Sequence, residues 1–166
     1  MKRIGLLSDT HGEVPEGLRN FFENCDEIWH AGDIGNDTGL LELAGKRILR
    51  AVYGNIDGHE NRVKYPEKLR FFCEKSEVLI THIGGYPGNY DRSIRQEIFS
   101  RPPKLFICGH SHILKVIYNK KLGLLHLNPG AAGRYGFHKF ITALRFVIDG
   151  EDIREMEIWE TERRRD

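Results

Sequence analysis

Five short segments of this 166-residue chain carry side chains able to bind metal: Asp9-Thr10-His11, Gly32-Asp33, Gly54-Asn55, Thr81-His82 and Gly109-His110-Ser111-His112. Each follows a short apolar run that reads as a β-strand. The steps from His11 to Asp33, Asp33 to Asn55, Asn55 to His82 and His82 to His110 are 22, 22, 27 and 28 residues, room for one strand, one helix and two loops each. Repeated strand–helix units would deliver all five strand ends to one edge of a sheet, where the ligands of α/β folds gather. Seven donors would then converge there: Asp9, His11, Asp33, Asn55, His82, His110 and His112. That number suits two metal ions sharing one bridging carboxylate.

The donors are oxygen and imidazole without thiolate, which favours Mn²⁺, Fe²⁺ or Zn²⁺ over an iron–sulfur cluster or Ca²⁺. In an extended segment, residues i and i+2 point to the same side, so Asp-x-His and His-x-His each offer a pair of ligands that grip from one side. Glycine precedes Asp33, Asn55 and His110, where the chain must turn tightly out of a strand. Two ions about 3.5–4 Å apart can activate a water and stabilise an in-line displacement at phosphorus.

The elements that must position these groups are legible in outline. Strands are expected at Arg3–Ser8, Glu27–Ala31, Arg47–Tyr53, Lys68–Cys73, Val78–Ile83, Leu105–Cys108, Lys115–Asn119, Leu124–Leu127, Phe140–Ile148 and Ile153–Trp159. Helical spacing runs over Val14–Asn24, Asp37–Ala44 and Asp91–Ser100, the last stopped by Pro102-Pro103. Ile56–Tyr65 and the glycine-rich Gly84–Asn89 read as loops, and Asp149-Gly150 as a hairpin turn. Strand–helix alternation followed by consecutive strands predicts a four-layer α/β/β/α sandwich, two mixed sheets face to face with helices outside. One domain over 1–160 is expected, with 161–166 a solvated tail.

Hydrophobic residues make up 40% of the chain and charged residues 30%, with a net charge of +1. This composition excludes a disordered chain and a strongly basic nucleic-acid binder. No window is apolar enough to span a membrane. Three cysteines (Cys25, Cys73 and Cys108) without CxxC spacing or a secretory leader predict reduced thiols and a cytoplasmic protein. Among the other histidines, His30 reads as a packed residue or a partner of a ligand, His126 as core, and His138 as surface. Cys108 reads as a small core residue. Arg134 lies in a glycine-rich segment and could clamp a phosphate through its guanidinium fork.

The ordered set Asp-x-His, Gly-Asp, Gly-Asn-x-Asp, His, Gly-His-x-His resembles the calcineurin-like metallophosphoesterase superfamily, in particular its small single-domain phosphodiesterase branch. The likeness runs from Ile4 to about Ile148 and includes Asn128-Pro129-Gly130. It implies that Asp9, His11 and His112 hold one metal and Asn55, His82 and His110 the other, with Asp33 bridging. It also implies a hydroxide between the metals as nucleophile. The cofactors would be two divalent ions, manganese foremost, with nickel, zinc or iron as the others.

Larger phosphatases of the superfamily have Gly-Asn-His-Glu where this chain has Gly54-Asn55-Ile56-Asp57. Isoleucine cannot donate a proton, so Asp57 and His59 become candidate general acids, with Asn55 and Arg134 as candidate substrate contacts. The activity implied is hydrolysis of a small phosphodiester. The alternatives are a phosphomonoesterase and a non-catalytic protein-binding scaffold of the same fold. The expected partners are a small phosphoester and, with apolar strands late in the chain, a second copy; strong nucleic-acid binding is not expected.

Overall fold

The computed structural model describes residues 1–163. Among them are twelve strands and four helices. The first sheet has the order β12-β11-β1-β2-β3, built from β1 (Lys2–Leu7), β2 (Glu27–His30), β3 (Ile48–Ala51), β11 (Phe140–Asp149) and β12 (Asp152–Glu162). Strands β1, β2 and β3 are mutually parallel, and β11 and β12 add antiparallel neighbours at one side. The second sheet has the order β4-β5-β8-β10-β9, from β4 (Lys68–Cys73), β5 (Ser76–Thr81), β8 (Leu105–Ile107), β9 (Leu114–Asn119) and β10 (Leu124–Pro129). Here β5, β8 and β10 are parallel, flanked by antiparallel β4 and β9.

Side-chain alternation decides the layers. Ile4 and Leu6 of β1, Trp29 of β2, Val78 and Ile80 of β5, Leu105 and Ile107 of β8 and Phe146 of β11 meet between the sheets. Their neighbours face outward: Leu7 and Ile28 pack with Leu18, Phe22, Leu40 and Leu43. Those residues belong to or adjoin helices α1 (Gly17–Phe21) and α2 (Thr38–Ala44). On the far side Leu79, Phe106 and Cys108 pack with Ile94 and Ile98 of α4 (Arg92–Ser100). The result is the expected α/β/β/α sandwich of two mixed sheets. Both faces of the central parallel strands are covered, which is why they are written as continuous apolar runs.

Four local expectations differ from the structure. The stretch Ile56–Tyr65 is not all loop, because α3 spans His59–Lys64. Its only buried residue is Asn61 and its Val63 is exposed, so it has no apolar stripe to betray it. The first helix is only five residues long, not eleven. Part of the glycine-rich loop pairs as a small hairpin, β6 (Gly85–Tyr86) with β7 (Asn89–Tyr90). The solvated tail expected over 161–166 is paired at its start: Thr161 and Glu162 pair with Ile141 and Phe140, and the Arg163 amide donates to the Lys139 carbonyl. The rest of that tail, 164–166, lies outside the described residues. No helix among the described residues is long and apolar enough to cross a membrane.

His126 of β10 is fully buried against Tyr90 and Phe106, and neither ring nitrogen finds a hydrogen-bond partner among the described residues. Burial pushes its pKa down from 6.5 to about 4. The folded chain therefore holds His126 neutral where an unfolded chain would protonate it. Its contribution is complete above about pH 6.5 and declines toward pH 4, by about 1.4 kcal/mol per pH unit. Replacing His126 with Phe should flatten the acid side of the stability curve. Urea unfolding of both metal-free proteins at a series of pH values checks this; parallel curves would contradict it.

Candidate metal centre

The five ligand-bearing segments leave the carboxyl ends of β1, β2, β3, β5 and β8, all strands of the two parallel cores. Two groups of donor atoms form there. Asp9, His11 and His112 make one, and Asp33, His82 and His110 the other, with each group's ligand atoms within 4.8 Å of one another. Asn55 joins the second group, its Oδ1 3.0 Å from His82 Nε2. Asp33 lies between the groups: Oδ1 is 3.2 Å from His82 Nε2, and Oδ2 is 3.9 Å from His11 Nε2.

Backbone conformation brings these side chains inward. Asp9, His11, Asp33, His110 and His112 all have φ between +48° and +67°. For non-glycine residues this left-handed region costs about 1–3 kcal/mol each and persists only where packing enforces it. It also corrects the expectation from strand pleating. Asp9 and His11 do serve one group, but through left-handed turns; His110 and His112 part company and serve different groups. Gly54 and Gly109 are needed for a further reason. A β-carbon at Gly54 would strike the Asp33 amide and carboxylate, and one at Gly109 would strike Ser8 Oγ. At these two points the ligand loops touch backbone to side chain.

Hydrogen bonds from behind fix which ring nitrogens face the site. His82 Nδ1 lies 2.8 Å from the Ala31 carbonyl, which only an N–H can satisfy. His82 Nε2 therefore faces the oxygens of Asp33 and Asn55. His138 makes the same arrangement for His112. Its Nε2 donates to the Gly133 carbonyl at 2.9 Å, leaving Nδ1 to accept from His112 Nδ1 at 3.2 Å. The His112 Nε2 lone pair is then left 3.1 Å from Asp9 Oδ1. Asp9 Oδ2 accepts from Ser8 Oγ at 2.6 Å and from the His110 amide at 3.1 Å, whereas its buried Oδ1 accepts nothing. His11 Nε2 is likewise buried without a partner. Unpartnered acceptors thus collect in the first group, where Asp9 Oδ1 and His11 Nε2 stay buried beside His112 Nε2, while Asp33 Oδ1 accepts from the Ile56 amide and faces His82. A divalent cation resolves this arrangement, and the donor set fits two.

The titration behaviour agrees with that reading. Burial lowers the His11 pKa and keeps the ring neutral. Burial opposes ionisation of Asp33, but the hydrogen bond and charge of His82 outweigh it and hold the carboxylate below its ordinary value. His82 is disfavoured as a cation by burial, yet Asp33 and Asp9 raise its pKa.

The other candidate residues separate. Asp57 does not fit the role of acid. It is buried and accepts from the amides of Gly54, Ile34 and Gly35 and from Asn61 Nδ2 at 2.8–3.0 Å. Burial opposes its charge, but these donors win and lower its pKa. An anion so well satisfied is a poor proton donor; Asp57 locks the Asn55 turn onto the loop after Asp33. His59 starts α3, exposed, in a cavity with Asn36 and Asn61 rather than among the metal donors. Arg134 is exposed on the rim of a cavity that His11 also lines.

Sequence reasoning misplaced His138, reading it as surface when it bonds to His112. Its only signal was closeness to a glycine-rich loop. His30 is fully buried beneath the site: Nδ1 accepts from the Gly32 amide, and Nε2 lies 2.9 Å from Thr10 Oγ1, tying the loops after β1 and β2 together. Burial lowers its pKa to about 4 and keeps it neutral.

His138→Ala should weaken manganese binding by 10- to 100-fold, as loss of a ligand's hydrogen-bond partner does in metal sites. Competition with a chromophoric chelator measures this, and unchanged affinity would refute the orienting role. Asp57→Asn replaces an acceptor with a donor that opposes bound N–H groups. It should cost about 2–3 kcal/mol of stability by urea unfolding. Any rate it retains should keep the wild-type dependence on leaving group.

Comparison with known proteins agrees with this geometry. The family model described as the calcineurin-like phosphoesterase superfamily domain matches residues 1–151. A probable metallophosphoesterase of Methanothermobacter thermautotrophicus is 29% identical over 133 residues, covering 77% of this chain and 76% of its own. Among solved structures, one described as a novel archaeal phosphodiesterase is similar at a TM-score of 0.74 and 21% identity, over 95% of this chain and 99% of that one. Vps29 of Entamoeba histolytica in complex with Zn²⁺ is similar at a TM-score of 0.71 and 14% identity, over 98% and 99% of the two chains. With a family match over nearly its whole length, the chain belongs to the calcineurin-like phosphoesterase superfamily.

Proposed function

We propose that the protein is a two-metal phosphodiesterase that hydrolyses small diesters. The observation that carries this reading is the convergence of two groups of metal-binding side chains on Asp33, with Asp9 Oδ1 and His11 Nε2 buried without partners, which suits two cations at adjacent positions. Asp9, His11 and His112 would hold one and Asn55, His82 and His110 the other, with one Asp33 oxygen turned to each. When bound, a pair of divalent ions supplies Lewis acidity: it ionises water near neutral pH and offsets the charge that builds on a phosphoryl group under attack. Manganese suits this mixture of carboxylate, amide and imidazole donors, with nickel, zinc and iron as its competitors.

The chain's own residues supply the rest. The Asn55 amide group stands at the exposed side of the second group, where its N–H can donate to a phosphoryl oxygen. Ile56 supplies no proton beside it, and neither Asp57 nor His59 is placed to substitute. Good leaving groups should therefore be preferred, since lack of a general acid typically costs 10²–10⁴-fold with poor ones. Diester rather than monoester specificity is supported by space on both sides of the centre. A cavity of about 340 Å³ opens beside Asn55 and His82, and another of about 530 Å³ beside His11. Each can take one ester substituent.

A second reading, a protein-binding scaffold, draws on the likeness to Vps29 and on edge strand β9, where Val116, Ile117 and Tyr118 are exposed. Hydrolysis separates the two. Manganese-loaded protein should cleave bis(p-nitrophenyl) phosphate faster than p-nitrophenyl phosphate. Asp33→Asn should lower that rate by at least about 100-fold, the scale of losing electrostatic stabilisation at the reacting group. Treatment with a chelator should abolish the rate and Mn²⁺ should restore it. Metal occupancy and rate should fall together below about pH 6.5, as protons compete for the histidine ligands. A wild-type rate no higher than that of Asp33→Asn would leave the scaffold reading standing.

A further inference from the structure

Three cavities border the centre and differ in chemistry; in the one beside His110, the exposed ring of Tyr86 is already covered by the Lys115 ammonium at 4.7 Å. The one beside Asn55 and His82 is lined by Arg62, Glu67, Asp91 and Ser93. Its one aromatic ring, Tyr53, is already covered by the Arg62 guanidinium at 4.5 Å. The cavity beside His11 is lined by Thr10, His11, Glu13, Ile56, Arg134 and Tyr135. Ile56 is 48% exposed and Tyr135 71% exposed, an unusual pairing of apolar surfaces at the mouth of a polar site. The Tyr135 ring is 5.0 Å from the His11 ring, so the cavity opens directly onto the first donor group.

The loop that carries Tyr135 is pinned. The Ala132 and Gly133 amides donate to the Ser8 and Asp9 carbonyls at 2.8 and 3.0 Å. His138 bonds back to the Gly133 carbonyl, and the Arg163 guanidinium donates to the carbonyls of Arg134 and Gly136. Tyr135 is thus held at the metal centre by the same loop that orients His112. An aromatic ring fixed in water on one wall and a branched aliphatic side chain on the other offer stacking and apolar contact to a flat group. Arg134 adds a cation for the phosphoryl oxygens, and Glu13 an acceptor for an amino group on the ring edge.

We propose that this cavity is a subsite for a planar aromatic substituent of the phosphoester, stacked on Tyr135 and packed against Ile56. The assignment rests on the hydrolase reading for the phosphoryl position and adds the substrate class: diesters with an aryl group or a nucleobase on the His11 side. The same isoleucine that removes a proton donor from the centre thereby contributes a binding wall.

Phosphonates test this apart from turnover, because their P–C bond is not hydrolysed. Isothermal titration of manganese-loaded protein with methylphosphonate, phenylphosphonate and an adenine-bearing alkylphosphonate compares a bare group, an aryl group and a nucleobase. An aromatic substituent should tighten binding by roughly five- to hundred-fold, the range of base–aromatic stacking. Tyr135→Ala should erase that advantage and Tyr135→Trp should keep it. Glu13→Gln should weaken the adenine compound alone. A Tyr135-dependent preference confined to phenyl or to adenine names the source of the aromatic group. Equal affinities for all three compounds, no binding by any, or a preference that survives Tyr135→Ala would overturn the subsite. Tyr135-dependent binding without any diester hydrolysis would sink the hydrolase reading and leave the subsite intact.

Discussion

Asp9 and Asp33, the imidazoles of His11, His82 and His112, and the Asn55 side chain converge on one small region with their metal-binding atoms turned toward one another. Hydrogen bonds on the outer side of the rings keep them that way: Ala31 holds His82, and Gly133 through His138 holds His112. In water such an arrangement would relax by rotation. Here burial prevents it, and the free atoms Asp9 Oδ1 and His11 Nε2 stay buried without partners. Buried polar atoms without partners are costly, and the proposed cations would relieve that cost. Asp33 faces both groups at once, one oxygen toward His82 and the other toward His11.

Rigid surroundings are required to hold such a site. Five ligands sit in left-handed backbone, and the loops that carry them are fastened to each other rather than to solvent. The Asp9 amide donates to the Gly32 carbonyl, and the His11 amide to the Asp33 carbonyl. The Gly109 amide donates to the His82 carbonyl, bringing the loops after β5 and β8 together. Asp57 adds a hub of four donors joining the turns after β2 and β3. Beneath them the apolar layer between the sheets fixes the strand ends in space. Packing energy from that layer offsets strain at the rim, a division of labour expected where function needs unfavourable local geometry.

The likeness to both a phosphodiesterase and Vps29 follows from this separation of scaffold and site. The sandwich is determined by its apolar layers, and one fold hosts different activities according to what its loops carry. In this chain the loops carry a full set of donors together with an exposed aromatic ring beside them. Both belong to the same face, and the tautomer chain through His138 ties the loop of the aromatic ring to the metal ligands.

The sequence by itself determined the fold class and singled out the side chains that the fold gathers into two candidate metal-binding groups. Continuous apolar runs specify strands covered on both faces, and polar donors at their ends must lie on one rim once those strands are parallel. It also exposed the loss of a proton donor at Ile56, because residue type alone settles that. It did not reveal α3, whose residues bury only Asn61 and leave no periodic trace. It left Asp57 a candidate general acid, since a carboxylate next to Gly54-Asn55 looks alike whether it faces a substrate or four N–H donors. The role of His138 and the pairing of Tyr135 with Ile56 were decided by tertiary structure alone. Each depends on residues more than twenty positions apart meeting across loops whose left-handed turns reverse the direction that strand spacing would have assigned.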